Sequence, residues 1–186
     1  MEPNNAHRIF LDASILRVCS LGNADLQYLW IFPFCKLPLQ CVTSSYVLAE
    51  TLAALAEPDV PPKSRIAVLN GLGLGLLQTG WHVRLPEPSL DAIHAVQTFC
   101  RDPEDWPVLA DALAESCSVV LTYDKDLLEA DAPVRCVRPA MFFQELCQDH
   151  EFVGDLQALV SLLSASQDSD ENALPQEPAP DDAPGR

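Results

Sequence analysis

The sequence predicts a three-layer α/β/α sandwich with a central parallel sheet, in a Rossmann-like arrangement. Short apolar runs with strand character alternate with segments of helical spacing, which is the order expected of parallel strands joined by crossover helices. The run SVVLTY (118–123) is almost continuously apolar and β-branched, as in a strand that is buried on both faces. Two of the predicted strands end on an aspartate, Asp12 and Asp124.

The first part of the chain predicts two strands. Residues 7–12, HRIFLD, form a buried first strand, and the segment SILRVCSLG after it has helical spacing and ends near Gly22. Residues 24–36 form a further apolar helix or loop that Pro33 interrupts. The second strand is LQCVTS (39–44).

A strong helix is predicted at 44–57, where Ser44 or Ser45 caps its start and Pro58 follows its end. The helix VLADALAES takes Asp102 or Asp105 as its cap and tolerates Pro107 in its first turn. The other predicted elements are a helix at 63–78, a strand at 81–85, a helix at 88–100, the strand 118–123, a short helix KDLLEA, a strand at 134–137 and a helix that Pro139 opens.

Three regions of different composition follow one another. Residues 1–149 form the predicted α/β domain, and residues 150–166 a C-terminal amphipathic helix packed on it. Residues 167–186 are rich in proline and acidic residues and poor in large apolar ones, so we expect this tail to be disordered.

The chain is strongly acidic, with a formal net charge of −16. The last 23 residues carry −5 of it, which leaves −11 on the rest. An acidic domain lacks the Lys and Arg surplus that drives non-specific binding to nucleic acid through release of counterions. A nuclease that holds phosphate through metal ions is still allowed, because its site must itself be acidic.

Cysteine usage and hydropathy favour a cytoplasmic protein. The seven cysteines are scattered without a CxxC pair, which is typical of free thiols in a reducing compartment. No apolar run approaches the roughly 20 residues of a membrane-spanning helix, and the N-terminal residues do not predict a secretory signal.

Four carboxylates are predicted to meet at one edge of the sheet. Asp12 and Asp124 end parallel strands, so the sheet places both at its carboxyl edge, where such folds bind ligands. Glu50 lies in the helix after the second strand, Asp105 begins the helix before the SVVLTY strand, and Asp126 is a fifth candidate. Clustered carboxylates repel one another, and a hard cation such as Mg²⁺ or Mn²⁺ relieves the repulsion.

Three segments, FLDASIL, SSYVLAETLAAL and RDPEDWPVLADALAESCSVVLTYDKDLL, resemble in order the signature blocks of PIN-domain ribonucleases. The resemblance covers residues 7–147, and its last block is the most specific. It implies a PIN-like fold, an endoribonuclease activity and a bound Mg²⁺ or Mn²⁺. Many small members of that family are toxins of toxin–antitoxin pairs, which leaves open an antitoxin partner and a homodimer besides the RNA substrate.

The same resemblance assigns roles residue by residue. It implies that Asp12, Glu50, Asp105 and Asp124 are the catalytic carboxylates, with Asp12, Asp105 and Asp124 as metal ligands. It further implies accessory roles in the site, which fall on Asp126, Ser14 and Thr122.

Each of these residues also has a purely structural explanation. Asp12 could cap the first helix, Glu50 could be a solvated helix residue, and Asp124 with Asp126 could form an ordinary turn after a strand. Among the acids near the helix VLADALAES, capping explains any one of them, and the family register selects Asp105.

Several other features are open to two interpretations. Asp111 lies within a helix, where it is either a surface residue or a neighbour of the site. The glycine run 71–75 lacks phosphate-loop spacing and lies in a helical stretch, which favours helix bending or close packing. Arg17, Arg101 and Lys125 flank the site as phosphate-binding or solvated cations.

Two other classes of function compete. A PIN-like scaffold that binds RNA or protein without cleavage fits the acidic surface, although acidic residues at all four main positions argue against loss of activity. Phosphoryl transfer through an aspartate, as in haloacid dehalogenase-like phosphatases, requires a second aspartate at the position of Ser14. Response receivers require an acidic pair beside Asp12 and a lysine after the strand VRCV, and neither is present.

We predict that deleting residues 167–186 leaves the melting temperature unchanged, because this tail cannot offset the entropy of ordering it. A second truncation, which ends the chain at residue 149 and so removes the predicted C-terminal helix as well, should lower it. Differential scanning calorimetry of both truncations tests the two boundaries. A drop of several degrees on removal of the tail alone would contradict its assignment as disordered.

Overall fold

The computed structural model describes residues 7–19, 39–77 and 81–148. The predictions for 24–36, the C-terminal helix and the tail lie outside the described residues. Five strands form one sheet, in which every pair of neighbours is parallel: β1 (His7–Leu11), β2 (Leu39–Ser44), β3 (His82–Arg84), β4 (Val119–Leu121) and β5 (Arg135–Val137). The predicted parallel α/β fold is confirmed.

Helices connect and cover these strands. They are α1 (Ala13–Cys19), α2 (Ser45–Ala56), α3 (Pro62–Leu77), α4 (Leu90–Val96), α5 (Trp106–Ala114), α6 (Lys125–Leu128) and α7 (Pro139–Gln148). Helix α1 contacts α2 and α3, while α4 contacts α5. The predicted helix at 88–100 ends early, at Val96, and a short 3-10 turn (Pro103–Asp105) precedes α5.

The order of the strands across the sheet is β3-β2-β1-β4-β5. The chain proceeds outward from β1 through β2 to β3 and then returns to the other side of β1 with β4 and β5. The order therefore reverses between β1 and β4. In open parallel sheets, a crevice outside the carboxyl ends of the strands at such a reversal is where ligands bind.

The core is centred on the two middle strands. In β1, Ile9, Phe10 and Leu11 are completely buried, and Val120 and Leu121 of β4 are buried beside them. Ile9 lies opposite Val119 in the register of the two strands. A strand with apolar residues on both faces must be covered by helices on both sides, which explains the continuous apolar pattern of this part of the sequence.

Capping fixes where the helices begin. The side chain of Ser44 accepts a hydrogen bond from the amide of Val47, as predicted for the start of α2. At the 3-10 turn the cap is Asp102, whose Oδ1 accepts from the amide of Glu104 at 2.9 Å. Asp105 precedes α5 without forming a side-chain cap, so its carboxylate is available for other contacts.

The glycine run lies within α3, in agreement with the predicted helical stretch and not with a phosphate loop after a strand. A Cβ atom built on Gly75 would lie 2.7 Å from the ring of Trp81, which is 6% exposed. A Cβ atom on Gly73 would meet nothing within 4 Å. Gly75 therefore lets α3 approach Trp81, while Gly73 has no such contact.

We predict opposite effects for two matched substitutions. Gly75→Ala should lower the free energy of unfolding by about 1–3 kcal/mol, because the added methyl overlaps a buried ring. Gly73→Ala should raise it by up to about 1 kcal/mol, because alanine has the higher helix propensity and finds open space. Urea unfolding of the two variants measures both, and equal effects would contradict the close contact with Trp81.

Candidate functional site

Asp12 lies at the end of β1, next to the start of α1. Its amide donates to the carbonyl of Leu121 at 3.2 Å, so the pairing of β1 with β4 extends into the site. Its own carbonyl accepts from the amides of Ile15 and Leu16, which begins the helix. Asp12 is thereby fixed at the reversal of strand order, and it is only 4% exposed.

Two hydroxyl groups hold the buried carboxylate. Ser14 Oγ donates to Asp12 Oδ2 at 2.6 Å, and Thr122 Oγ1 donates to the same oxygen at 2.8 Å. Each hydroxyl also accepts a backbone N–H from the loop after β4: Ser14 from Tyr123, and Thr122 from Asp124, both at 2.9 Å. Each hydroxyl thus accepts one backbone amide on a lone pair and donates its single proton to Asp12.

Asp124 follows β4 and caps the short helix α6. Its Oδ1 accepts from the amides of Asp126 at 2.7 Å and Leu127 at 3.4 Å. The structural explanation of Asp124 as a turn residue is therefore correct for one oxygen. The residue is exposed, and its amide is joined through Thr122 to Asp12.

Asp105 reaches the site from the turn before α5. Burial, and next the charge of Asp124, raises the pKa of Asp105 to about 7; the charge of Asp12 also raises it. The thiol of Cys100 donates to Asp105 Oδ2 at 3.5 Å and opposes the shift. The indole N–H of Trp106 donates to the carbonyl of Cys100 at 2.9 Å, so this tryptophan supports the turn.

Glu50 lies on α2 and is exposed as a residue, but its carboxyl is partly shielded from water and lies within the electrostatic range of Asp12 and Asp124. Burial, and after it the charge of Asp12, raises the pKa of Glu50, with a smaller contribution from Asp124, while Arg17 lowers it. Asp12, Glu50, Asp105 and Asp124 therefore influence one another electrostatically.

Among the residues that the structure describes, these four carboxylates form no ion pair. Within the same ranges no three acidic, histidine or cysteine side chains are arranged to hold a metal ion by themselves. The proposed set of three metal ligands remains a prediction. The donor chemistry fits a hard cation, because all four groups offer carboxylate oxygen and none of them forms an ion pair with a described residue. Mg²⁺ usually takes only one or two carboxylates and keeps several waters.

Two arginines of the described residues, one on β1 and one on β3, form ion pairs with acidic residues outside the candidate site. Arg84 on β3 binds Asp111 at 2.8 Å and Glu115 at 3.0 Å, and Arg8 on β1 binds Glu115 at 2.7 Å. These pairs fasten the C-terminal half of α5 to two strands. Asp111 is completely buried, so its interpretation as a surface residue is wrong. Its spacing of three from the buried Val108 on the same helix was the signal that could have shown this.

Four cysteines among the described residues are free and at least partly buried, in agreement with the prediction of free thiols. Cys41, Cys100, Cys117 and Cys136 are free, and burial raises the pKa of each of them. A raised pKa keeps a thiol protonated and unreactive at neutral pH. No helix in the described ranges is long and apolar enough to cross a membrane.

Among the solved structures to which this chain is similar are two from Pyrobaculum aerophilum and Mycobacterium tuberculosis. PAE2754 from Pyrobaculum aerophilum has a TM-score of 0.49 and 16% identity, over 79% of this chain and 100% of that chain. VapC20 from Mycobacterium tuberculosis, described as a Sarcin-Ricin loop cleaving toxin, has a TM-score of 0.44 and 19% identity, over 63% and 91%. The similarity lies in the fold and tells nothing about what this chain does. No family model and no curated protein matches the sequence.

We predict that the stabilising effect of Asp105→Asn depends on pH in metal-free buffer. The pKa of Asp105 is about 7 in the folded chain against 3.8 as the ordinary value. The folded state then holds a proton that the unfolded state releases, so wild-type stability falls as the pH rises from about 4 to about 7. The variant lacks this term, and its advantage in melting temperature over the wild type should be larger at pH 8 than at pH 5.

Calorimetry in EDTA at the two pH values measures the difference. Glu50→Gln should change in the same direction, because the pKa of Glu50 is also raised. If the difference in melting temperature between Asp105→Asn and the wild type is the same at pH 5 and pH 8, the pKa of Asp105 is not raised in the folded chain.

Proposed function

We propose that this protein is a divalent-metal-dependent endoribonuclease of the PIN type, which hydrolyses phosphodiester bonds of single-stranded RNA. The observation that carries the proposal is the buried Asp12 carboxylate, which two oriented hydroxyls hold and no cation of the described residues neutralises. Burial of an unpaired charge is costly unless a ligand compensates it. The resemblance of the sequence blocks to PIN-domain ribonucleases supports the same conclusion.

In this proposal Asp12, Asp105 and Asp124 hold Mg²⁺ or Mn²⁺, directly or through water. The ion supplies an activated water and neutralises charge on the phosphate. Ser14 and Thr122 keep Asp12 oriented, since each gives its only hydroxyl proton to that carboxylate. Asp124 combines two tasks, because one of its oxygens caps α6 and thereby fixes the direction of the other.

Glu50 and Asp126 complete the proposed site. Burial, and after it the charge of Asp12, raises the pKa of Glu50, and in this proposal its carboxyl orients the water. Asp126 follows Asp124 by two residues and adds acidic charge at the rim. A role as the toxin of a toxin–antitoxin pair, with an antitoxin as partner, belongs to the proposal through the motif resemblance.

We predict that Asp12→Asn and Asp124→Asn each lower RNA cleavage by about two orders of magnitude or more, as expected when a charged group of a catalytic site is removed. The fold should survive, because asparagine retains an acceptor oxygen and is itself a good helix cap. Cleavage of labelled single-stranded RNAs is measured with Mn²⁺ and with EDTA. Asp59→Asn, on the exposed link between α2 and α3, is the matched control and should cleave normally.

Calorimetric titration with Mn²⁺ in the absence of RNA gives an independent measurement. The wild type should bind the ion, and Asp12→Asn should bind it more weakly. Cleavage that persists unchanged in both site variants would place the activity elsewhere. An absence of cleavage together with an absence of metal binding would favour the scaffold that binds RNA or protein without cutting.

A further inference from the structure

A cavity lies beside the acidic site. This cavity, of about 400 Å³, lies between residues 97–101, which link α4 to the 3-10 turn, and residues 126–131 around the end of α6. This volume is in the range of pockets that bind small organic groups. Among the residues that line the cavity, only Asp126 has a role in the proposed function.

Two walls of the cavity are continuous with the proposed catalytic carboxylates. Cys100 lines it, and the thiol of this residue donates to Asp105 Oδ2 at 3.5 Å. Asp126 lines it from the other side, and the amide of Asp126 donates to Asp124 Oδ1 at 2.7 Å. A group in the cavity would thus contact Cys100 and Asp126, each of which is hydrogen-bonded to one of the proposed catalytic carboxylates, Asp105 and Asp124.

The charge of the lining restricts the ligand. Asp126, Glu129 and Asp131 face a single cation, Arg101, so a phosphate would be repelled. Glu129 lies 3.7 Å from Lys125, whereas Asp126 and Asp131 form no ion pair with any residue that the structure describes. Asp131 is exposed and Asp126 is partly buried, so the oxygens of both carboxylates are accessible as acceptors to a ligand in the cavity.

The remaining lining residues suit a flat group. Phe99 is partly buried and Arg101 is exposed, and both offer planar groups on which a ring can stack. Gln97 and Thr98 add side chains that can donate or accept. An uncharged, planar ligand with N–H donors at its edge combines all of these properties, and a nucleobase is such a ligand.

We propose that this cavity binds one unpaired nucleobase of the substrate RNA, a base with an exocyclic amino group and guanine above all. Guanine presents two neighbouring donors, N1–H and the 2-amino group, which match the two oxygens of one carboxylate. Uracil presents carbonyl acceptors on both sides of its single N–H and would face the acids unfavourably. This inference rests on the proposed function, and it names the base next to the bond that is cut.

Binding is tested without cleavage. Saturation-transfer NMR of the full chain in EDTA is recorded with guanosine, adenosine, cytidine and uridine, each at the same concentration. Guanosine should bind about fivefold or more tightly than uridine, the discrimination expected of one two-donor contact. Asp131→Asn should reduce guanosine binding at least as much, and Thr98→Trp, which fills the cavity from an exposed position, should abolish it. Asp59→Asn is the control and should bind as the wild type does.

Cleavage of RNAs that differ in one base beside the cut then separates the two proposals. Guanosine-dependent cleavage by the wild type, weakened in Asp131→Asn, supports the cavity. Cleavage without base preference, together with equal binding of guanosine and uridine, overturns it and leaves the nuclease intact. Guanosine binding that disappears in Asp131→Asn without any RNA cleavage keeps the cavity and overturns the nuclease. No nucleoside binding overturns the cavity whatever the cleavage result.

Discussion

The parallel pairing of β1 with β4 is the contact on which the rest of the site depends. It continues past the ends of both strands, from the amide of Asp12 to the carbonyl of Leu121, and it brings Thr122 to Asp12 across 110 residues of sequence. Without this register, the Thr122 hydroxyl would not reach the carboxylate, and the loop to Asp124 would lose its anchor. A shift by one residue would turn every side chain of a strand to the opposite face.

Charge in this domain is divided between two arrangements. At the carboxyl edge, acids lie together without ion pairs among the described residues, and burial, followed by the charges of neighbouring acids, raises the pKa of Asp105 and of Glu50. Along α5, the acids Asp111 and Glu115 are paired with arginines from two strands. The paired end holds the helix in place, so that its other end presents Asp105 against the repulsion of its neighbours. The stabilising ion pairs therefore lie at the C-terminal end of α5, and the repulsion between carboxylates lies at its N-terminal end.

Much of the fold could be predicted because it follows from local patterns. The strands ending in Asp12 and Asp124 have continuous apolar runs, and the parallel topology then places both acids at one edge. The orientation of the Ser14 and Thr122 hydroxyls could not be predicted, because it depends on backbone amides from a distant loop. The contact of Cys100 with Asp105 depends on the tight turn between them, which the predicted helix at 88–100 and the helix after it did not include. The surface interpretation of Asp111 is wrong because a charged side chain is buried only when it is paired, and its partner Arg84 lies 27 residues away in the sequence.

The long separation of β1 from β4 also bears on synthesis of the chain on the ribosome. At roughly 5–20 residues per second, the 110 residues between Asp12 and Thr122 take on the order of ten seconds to be translated. Until then Asp12 has neither the strand nor the hydroxyl of its later partner, so a nascent or prematurely terminated chain lacks the assembled acidic cluster. In the ribonuclease that we propose, a site completed only by a late segment would spare the message and the ribosome that are making it.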